Sequence, residues 1–303
     1  MAAEPLTLLV DAPSLLYRAL FSTPDTVRSP SGTPINAVYG FLNMLAGLVA
    51  GQRPDFLACA DDADWRPAWR VALIESYKFH RTVAGSPAVE AEHKLAPQVP
   101  VLQEVMAACG VPLIGCPGFE AEDVIGTLAA RTTGRVGIFS GDRDLFQLVE
   151  DPNVRVLYPR RGTSDLIFVD EAYLAQTYGI PPRAYGDFAI LRGDASDGLP
   201  GVRGIGEKSA AALVSRYGSL AAILEAVEAA GERAAGPLGR VRMDRDYVGR
   251  ADRVVRIRTD APLGDVTARR VGGGAEPIGP AVWGIAERHG LGGPVGRLIE
   301  ALS

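Results

Sequence analysis

Histidine is almost absent. His80, His93 and His289 are the only three in 303 residues, and they are scattered. That scatter argues against a histidine metal centre or a Ser-His-Asp triad. Cysteine is as scarce: Cys59, Cys109 and Cys116 are odd in number and lack zinc-ligand spacing, so they read as buried thiols of a reducing cytoplasm. No apolar run is long enough to span a bilayer. The N-terminus has no basic stretch leading into an apolar one, the mark of an export signal, and no internal repeat is found. Positive charge is also short. A formal charge of −5 argues, at first sight, against a nucleic-acid partner.

What the chain does have is an apolar fraction of 47%, ample for the core of one large domain or two moderate ones. It also has acids in a pattern. The stretch Val136–Leu145, VGIFSGDRDL, reads as a buried parallel strand that breaks at Ser140-Gly141 and leaves Asp142 and Asp144 past its tip. Ligands of open α/β sheets bind at that end of a strand. Two carboxylates there repel each other, and such pairs are kept to hold a hard cation. The competing reading is that Asp142 caps a helix from Arg143 and Asp144 fills its first turn.

The same arrangement recurs. Leu6–Val10 is a strand candidate ending in Asp11, and Phe56–Ala60 is another ending in Asp61 and Asp62. Val111–Ile114 is followed by a helix whose first turn holds Glu120, Glu122 and Asp123, more acid than capping or the helix dipole requires. Asp194 and Asp197 form a last pair. Without these ten acids the remainder of the chain is net positive, so an anionic substrate stays open.

Between Asp64 and Arg81, DWRPAWRVALIESYKFHR interleaves aromatics with cations. Trp65 and Trp69, spaced i, i+4, suit the buried face of a helix. Tyr77, Lys78 and Arg81 suit contact with a nucleic acid, through stacking and phosphate neutralisation. Thr82–Lys94 has few large apolar residues and reads as a mobile segment over the site. Val154–Leu157 with Leu166–Val169 reads as a peripheral hairpin, and Glu171–Tyr178 and Arg183–Arg192 as helices. Pro200-Gly201-Val-Arg-Gly204-Ile-Gly206 then turns between two helices, with Glu207 and Lys208 opening the second. Its glycines admit close approach of a phosphate, and the helix start offers N–H donors. Such a turn grips a duplex backbone without reading sequence. From Ala229 onward the chain is less informative, with two small helices expected over Trp283–Leu302.

Six motifs, LLVDA, AVYGF, SYKFHR, GFEAED, SGDRDLFQL and GDASDGLPGVRGIGEK, together resemble the bacterial 5′ nucleases. These are the stand-alone 5′–3′ exonucleases and flap endonucleases, and the N-terminal nuclease domain of family A DNA polymerases. The likeness runs from about Leu8 to Leu224 and more faintly to about Leu263. It implies a PIN-like α/β domain over residues 1–180, with a mostly parallel sheet, flanking helices and a helical arch at about 76–97. A helix–hairpin–helix-like duplex-binding subdomain with a C-terminal extension would occupy 181–303. No polymerase-like segment follows, so a stand-alone nuclease is expected.

Carried over residue by residue, the resemblance makes Asp11, Glu120, Glu122, Asp123, Asp142 and Asp144 ligands around a first metal. Asp144, Asp194 and Asp197 would surround a second, the ions being Mg²⁺ or Mn²⁺. Lys78 and Arg81 would contact the scissile phosphate, with Tyr77 beside them, and Arg18 and Arg70 would be further DNA contacts. Gly201, Arg203, Gly204, Gly206 and Lys208 would meet the duplex. A K⁺ ion would sit at the carbonyls of Val202 and Ile205 with Ser209. The chain departs from the family in having Glu122 where Asp is usual. The second strand tip, ADDADW, is also longer than usual, so Asp61 is placed as the ligand with Asp62 and Asp64 as rivals.

The implied function is structure-selective 5′ nuclease activity by two-metal-ion catalysis, in DNA replication and repair. Its substrate would be DNA with a 5′ flap, nick or free 5′ end, and RNA–DNA hybrids are a further candidate. A cytoplasmic monomer without a membrane partner is expected. Two other classes compete. A HAD-type phosphatase needs a second Asp two residues after its nucleophile, where VDAPS has Pro13 and Ser14. A non-catalytic flap or junction binder has no use for acids that repel phosphate.

Overall fold

The computed structural model describes residues 4–181 and 183–303. Its strands are β1 (Leu6–Asp11), β2 (Phe56–Ala60), β3 (Leu113–Ile114), β4 (Arg135–Phe139), β5 (Val154–Arg161), β6 (Asp165–Val169) and β7 (Arg269–Arg270). They form one sheet in the order β3-β2-β1-β4-β5-β6. From β3 to β5 neighbouring strands run parallel, and β6 returns antiparallel on β5. β7 pairs antiparallel with Phe56 and Leu57 of β2, and β3 with Cys59 and Ala60. The two short strands thus share one edge of β2. β3, at Leu113–Ile114, is shorter than the expected Val111–Ile114.

Strands as apolar as β1, β2 and β4 are stable only when both faces are covered. Side chains alternate across the sheet, so Leu8 and Val10 enter one core while Leu9 enters the other. The Leu8 face is covered by α1 (Ala12–Ser22), α2 (Asn36–Gln52), part of α4 (Pro87–Leu95) and α5 (Val99–Ala108). The Leu9 face receives α6 (Ala121–Arg131), α7 (Glu171–Tyr178), α8 (Tyr185–Arg192), α9 (Glu207–Tyr217) and α10 (Leu220–Ala230). It also receives α11 (Gly236–Met243) and α12 (Arg245–Val255), and a short α3 (Ala68–Leu73) lies against α12.

The last helices, α13 (Ala281–His289) and α14 (Gly292–Leu302), go back to the Leu8 face and pack on α5 and α2. Val271 N–H also donates to Asp55 O at 2.9 Å. Residues 269–302 therefore complete the sheet's own core, and do not extend a separate helical unit that began at 181. Among the described residues no single helix is long and apolar enough to cross a membrane.

The segment 82–94 falls within the helical arch expected at about 76–97. It holds a turn and then α4, capped by Ser86 Oγ accepting from Val89 N–H at 3.3 Å, with Ala91 and Leu95 buried. Two apolar residues four apart, Ala91 and Leu95, face the core where α4 meets α1.

Candidate active site

Parallel pairing decides where the acids meet. Val10 is in register with Phe139, Asp11 with Ala60, and Ala60 with Ile114, so four strands end abreast. β1 lies between β2 and β4, from which the chain leaves in opposite directions, and a crevice opens at such a switch point. It is a cavity of about 920 Å³. Asp11, Asp62, Glu120, Glu122, Asp142, Asp144, Asp194 and Asp197 line it, with Lys78 and Arg81 among them.

Ser140 joins the two central tips. Its Oγ donates to Asp11 Oδ2 and accepts from Asp142 N–H at 2.8 Å. Asp142 Oδ1 in turn accepts from Asp144 N–H at 2.8 Å, just ahead of a short 3₁₀ turn over Asp144–Leu148 whose N-cap is Arg143 and carries no side-chain cap, so the helix-cap reading of Asp142 is not realised. This bond engages one of the two carboxylate oxygens. Burial pushes the Asp11 carboxyl up to about 7 despite its hydrogen bonds from Ser140 and Ser14. Burial and then the neighbouring Asp142 and Asp197 hold Asp144 well above the carboxylate range, and burial with Asp197 raises Asp142.

Desolvated acids crowded together without enough cations are the donor set a hard divalent ion requires. Among the described residues no three of them already stand at ligating separation. The residues fit ions that retain part of their water shell, as Mg²⁺ does.

Arg70 lies behind the cavity and is fully buried. Its Nη1 donates to Glu120 Oε2 at 2.8 Å and its Nη2 to Asp123 Oδ1 at 2.8 Å, with Glu122 Oε1 at 3.0 Å. Its Nε donates to Val254 O at 3.1 Å. The expectation that Arg70 touches DNA is therefore corrected: every edge of its guanidinium is engaged inside the protein. Tyr77 is corrected likewise, being 2% exposed with its hydroxyl donating to Glu120 Oε2 at 2.7 Å. Asp123 is not a cavity residue either. It accepts from Arg70, from Arg258 N–H at 2.9 Å and from Glu120 N–H at 3.2 Å, and is fully buried. Its role is to anchor the start of α6.

At the β2 tip the cavity takes Asp62 in place of the expected Asp61. Asp62 Oδ1 accepts from Ala121 N–H at 2.7 Å, which turns it toward α6, whereas Asp61 Oδ1 caps Asp62 N–H at 3.0 Å. Asp64, the other rival, accepts from Gly118 N–H at 2.6 Å and lies outside. Trp69 is half-buried, its Nε1 donating to Gly118 O at 3.0 Å, while Trp65 stands in the cavity wall.

Lys78 is not on a helix, although it falls inside the expected helical arch, and it directly precedes a 3₁₀ turn over Phe79–Thr82. Its φ is +50°, a left-handed conformation costly for a non-glycine residue. The backbone holds it there: Lys78 N–H donates to Asp197 O at 2.8 Å and Ser76 Oγ to Gly198 O at 2.7 Å. This turns Nζ inward to Glu120 Oε1 at 3.0 Å. Burial would lower the Lys78 pKa, but Glu120 and Asp197 raise it above its ordinary value, so the amine is charged. Arg81 Nη2 meets Asp197 Oδ1 at 2.6 Å. Arg18 lies beside Gly141 with its Nε buried and, among the described residues, without a partner.

The glycine turn joins α8 to α9, and its glycines differ in purpose. Gly201, at φ +70°, backs onto Arg192 O and Gly193 N, where a Cβ would collide, so it is an internal contact and not the DNA contact expected. Gly206 is open on its outer side, and Arg203, Gly204, Gly206 and Lys208 are exposed. Around the K⁺ site that the resemblance implies, Val202 O accepts from Ile205 N–H at 2.9 Å, and the neighbouring Gly204 O accepts from the Arg240 guanidinium.

Tyr17, Trp65, Glu92 and Arg192 also line the cavity and carried no functional expectation. Arg192 had a signal, as a cation two residues before Asp194. Its Nη2 stands 3.5 Å from Asp194 Oδ2.

The model for the 5′-3′ exonuclease N-terminal resolvase-like domain matches residues 6–179, and that for the 5′-3′ exonuclease C-terminal SAM fold matches residues 180–272. A 5′-3′ exonuclease of Streptomyces coelicolor is 48% identical, the match covering 98% of this chain and 100% of that protein. A DNA polymerase I of Mycobacterium bovis is 40% identical over 75% of this chain and 25% of its own length. Among solved structures, the T5 D15 protein co-crystallised with metal ions aligns with a TM-score of 0.67 at 15% identity. That alignment covers 84% of this chain and 90% of that one, a likeness of fold.

Proposed function

The chain belongs to the 5′–3′ exonuclease family, and from that premise we propose that its acidic cavity hydrolyses DNA at a 5′ end or flap with two divalent ions. One observation carries this reading. Four strand tips and the Asp194–Asp197 loop bring their acids to a single cavity together with Lys78 and Arg81. The HAD-type and non-catalytic alternatives fall with the family assignment.

Asp11, Asp62, Glu120, Glu122, Asp142 and Asp144 would hold one ion, and Asp144, Asp194 and Asp197 the other, with Mg²⁺ or Mn²⁺ suited to all-carboxylate ligands. Such ions supply a water of lowered pKa and offset charge on the departing 3′ oxygen. The protein's part is positioning. Lys78 and Arg81 place two fixed positive charges where a phosphate must enter. Arg203, Lys208 and the first turn of α9 hold the duplex backbone through charge and N–H donors. Because Gly201 packs directly on Gly193, next to Asp194, the grip and the cutting site keep a fixed spacing.

The DNA would carry a 5′ flap, nick or free 5′ end, RNA–DNA hybrids being a second candidate, and the protein would act as a cytoplasmic monomer. The test is cleavage of a 5′-labelled flap and a nicked duplex with Mg²⁺, Mn²⁺ or EDTA. Metal-dependent release of short 5′-phosphorylated products is expected. Cleavage that persists in EDTA, or none with either metal, would sink the reading.

A further inference from the structure

Among the described residues four cations line the acidic cavity, and they stand in two pairs. Lys78 and Arg81 are held by Glu120 and Asp197. The other pair, Arg143 and Arg192, has no part in the chemistry above. Arg192 ends α8, where its Nε donates to Gly193 O at 3.0 Å and its guanidinium lies over the Phe188 ring, 4.9 Å from the centroid. These two anchors fix the plane of the group. Its Nη2 stands 3.5 Å from Asp194 Oδ2, too far for a strong hydrogen bond, so donors of the planar fork are left for a ligand. Arg143 lies between Asp142 and Asp144 in the chain, yet its partner is the Tyr158 hydroxyl, which raises its pKa. Burial raises the Tyr178 pKa, and Arg143 and Arg192 both draw it back down, so the two guanidiniums converge on one tyrosine. Arg18, beside Gly141, is not in the cavity lining. The pair also lies toward the duplex grip, since Arg192 O backs onto Gly201 of the glycine turn, where a Cβ would collide.

We propose that Arg143 and Arg192 form a second phosphate site, which holds a phosphodiester of the cleaved strand one or two steps past the cut on the duplex side. Two guanidiniums that converge without an acid between them suit the oxygens of a phosphate. With Lys78 and Arg81 at the scissile phosphate, the strand is then held on both sides of the ions, and the cut falls at one bond. The proposal rests on the cavity being the nuclease site.

The test is single-turnover cleavage of a 5′ flap by the full chain in Mg²⁺, read at nucleotide resolution. A neutral methylphosphonate replaces the first or the second phosphodiester on the duplex side of the cut. Arg143→Gln and Arg192→Gln keep the side-chain stem and an N–H donor, so that folding is spared. One of the two modifications should slow the wild type about tenfold, which corresponds to about 1.4 kcal/mol. Each variant should slow the unmodified flap by a similar factor and spread its cut over neighbouring bonds. Variant and modification together should cost no more than either alone, because both remove the same contact. A variant that only loosens the fold lowers the melting temperature and gives no such cancellation. Factors that multiply to about a hundredfold at both positions, as independent sites do, overturn the proposal. So does a wild type indifferent to both modifications, or a pair of variants that cut at the wild-type rate and bond. A wild type that cuts no flap with Mg²⁺ or Mn²⁺ fails the nuclease reading itself. If it cuts and the factors multiply, only the second phosphate site falls.

Discussion

Nη2 of Arg70 stands 3.0 Å from Oε1 of Glu122, and the same guanidinium holds Glu120 and Asp123 at 2.8 Å. Glu122 thus spans from the cavity wall back to a buried cation. Three acids on one α6 turn are tolerable because a single charge stands behind them. The remaining negative charge faces the cavity, where ions would compensate it.

Removing Arg70 should therefore destabilise the protein more than it weakens DNA binding. Truncating one member of a buried ion network costs about 3–5 kcal/mol, because the partners stay buried and unpaired. Arg70→Ala is expected to lose stability on that scale in urea unfolding. A loss below about 1 kcal/mol, the size of a surface ion pair, would return Arg70 to the role of a DNA contact.

Metal-free stability should depend on pH in an unusual direction. Burial raises the Asp11 pKa to about 7 in the folded state, against about 3.9 for a free aspartate. A raised carboxyl favours the folded state while protonated, so its contribution is present below about pH 4 and is lost as pH rises through about 7. Melting temperature in EDTA should fall between those limits. Asp11→Asn should flatten the decline, and Mg²⁺ should offset it at neutral pH. A wild-type melting temperature that rises with pH across this interval would contradict the assignment.

The acids at β1 and β4 were legible in the sequence because an apolar run followed by acid has one simple structural meaning in a parallel sheet. Which of Asp61 and Asp62 faces the cavity was not. The choice is made by Ala121 N–H, on a helix that arrives 59 positions later. Arg70 and Tyr77 were misread for a similar reason. An alternation of aromatics and cations looks the same whether solvated or sealed, and here Val254 seals it from 184 positions away.

The glycines of the turn should separate in mutagenesis. Gly201→Ala must push its Cβ into the Arg192 carbonyl and Gly193, and its φ of +70° disfavours any side chain. It should unfold the turn, lowering the melting temperature and duplex binding together. Gly206 has no such neighbour and an ordinary φ, so Gly206→Ala should leave the melting temperature within about a degree or two, as surface substitutions do. Equal losses at both sites would mean that neither packing argument holds.

Asp144 stands where both ion sites would meet and is surrounded by Asp142, Asp197 and Asp194. Asp144→Asn should abolish cleavage of a flap in Mg²⁺ while leaving DNA binding within several-fold. Removing a charge that repels phosphate can even tighten binding. Full cleavage by this variant would end the two-ion reading.

Lys78 gives the sharpest test of the chemistry, because its structural and functional roles predict different quantities. Its Nζ reaches Glu120 at 3.0 Å from a strained backbone, and the side chain is only 9% exposed. As a purely structural partner of Glu120, its loss would lower stability and leave the rate of bound substrate nearly unchanged. As a donor to charge developing on the scissile phosphate, its loss costs about 10²–10³ in rate, by analogy with oxyanion donors. Lys78→Ala is expected to slow single-turnover cleavage of a 5′ flap at saturating enzyme by that factor, measured by rapid quench. Affinity for the flap, dominated by the duplex grip, should change far less. A rate within about twofold of wild type with a lowered melting temperature would leave Lys78 as a counter-ion to Glu120 and nothing more.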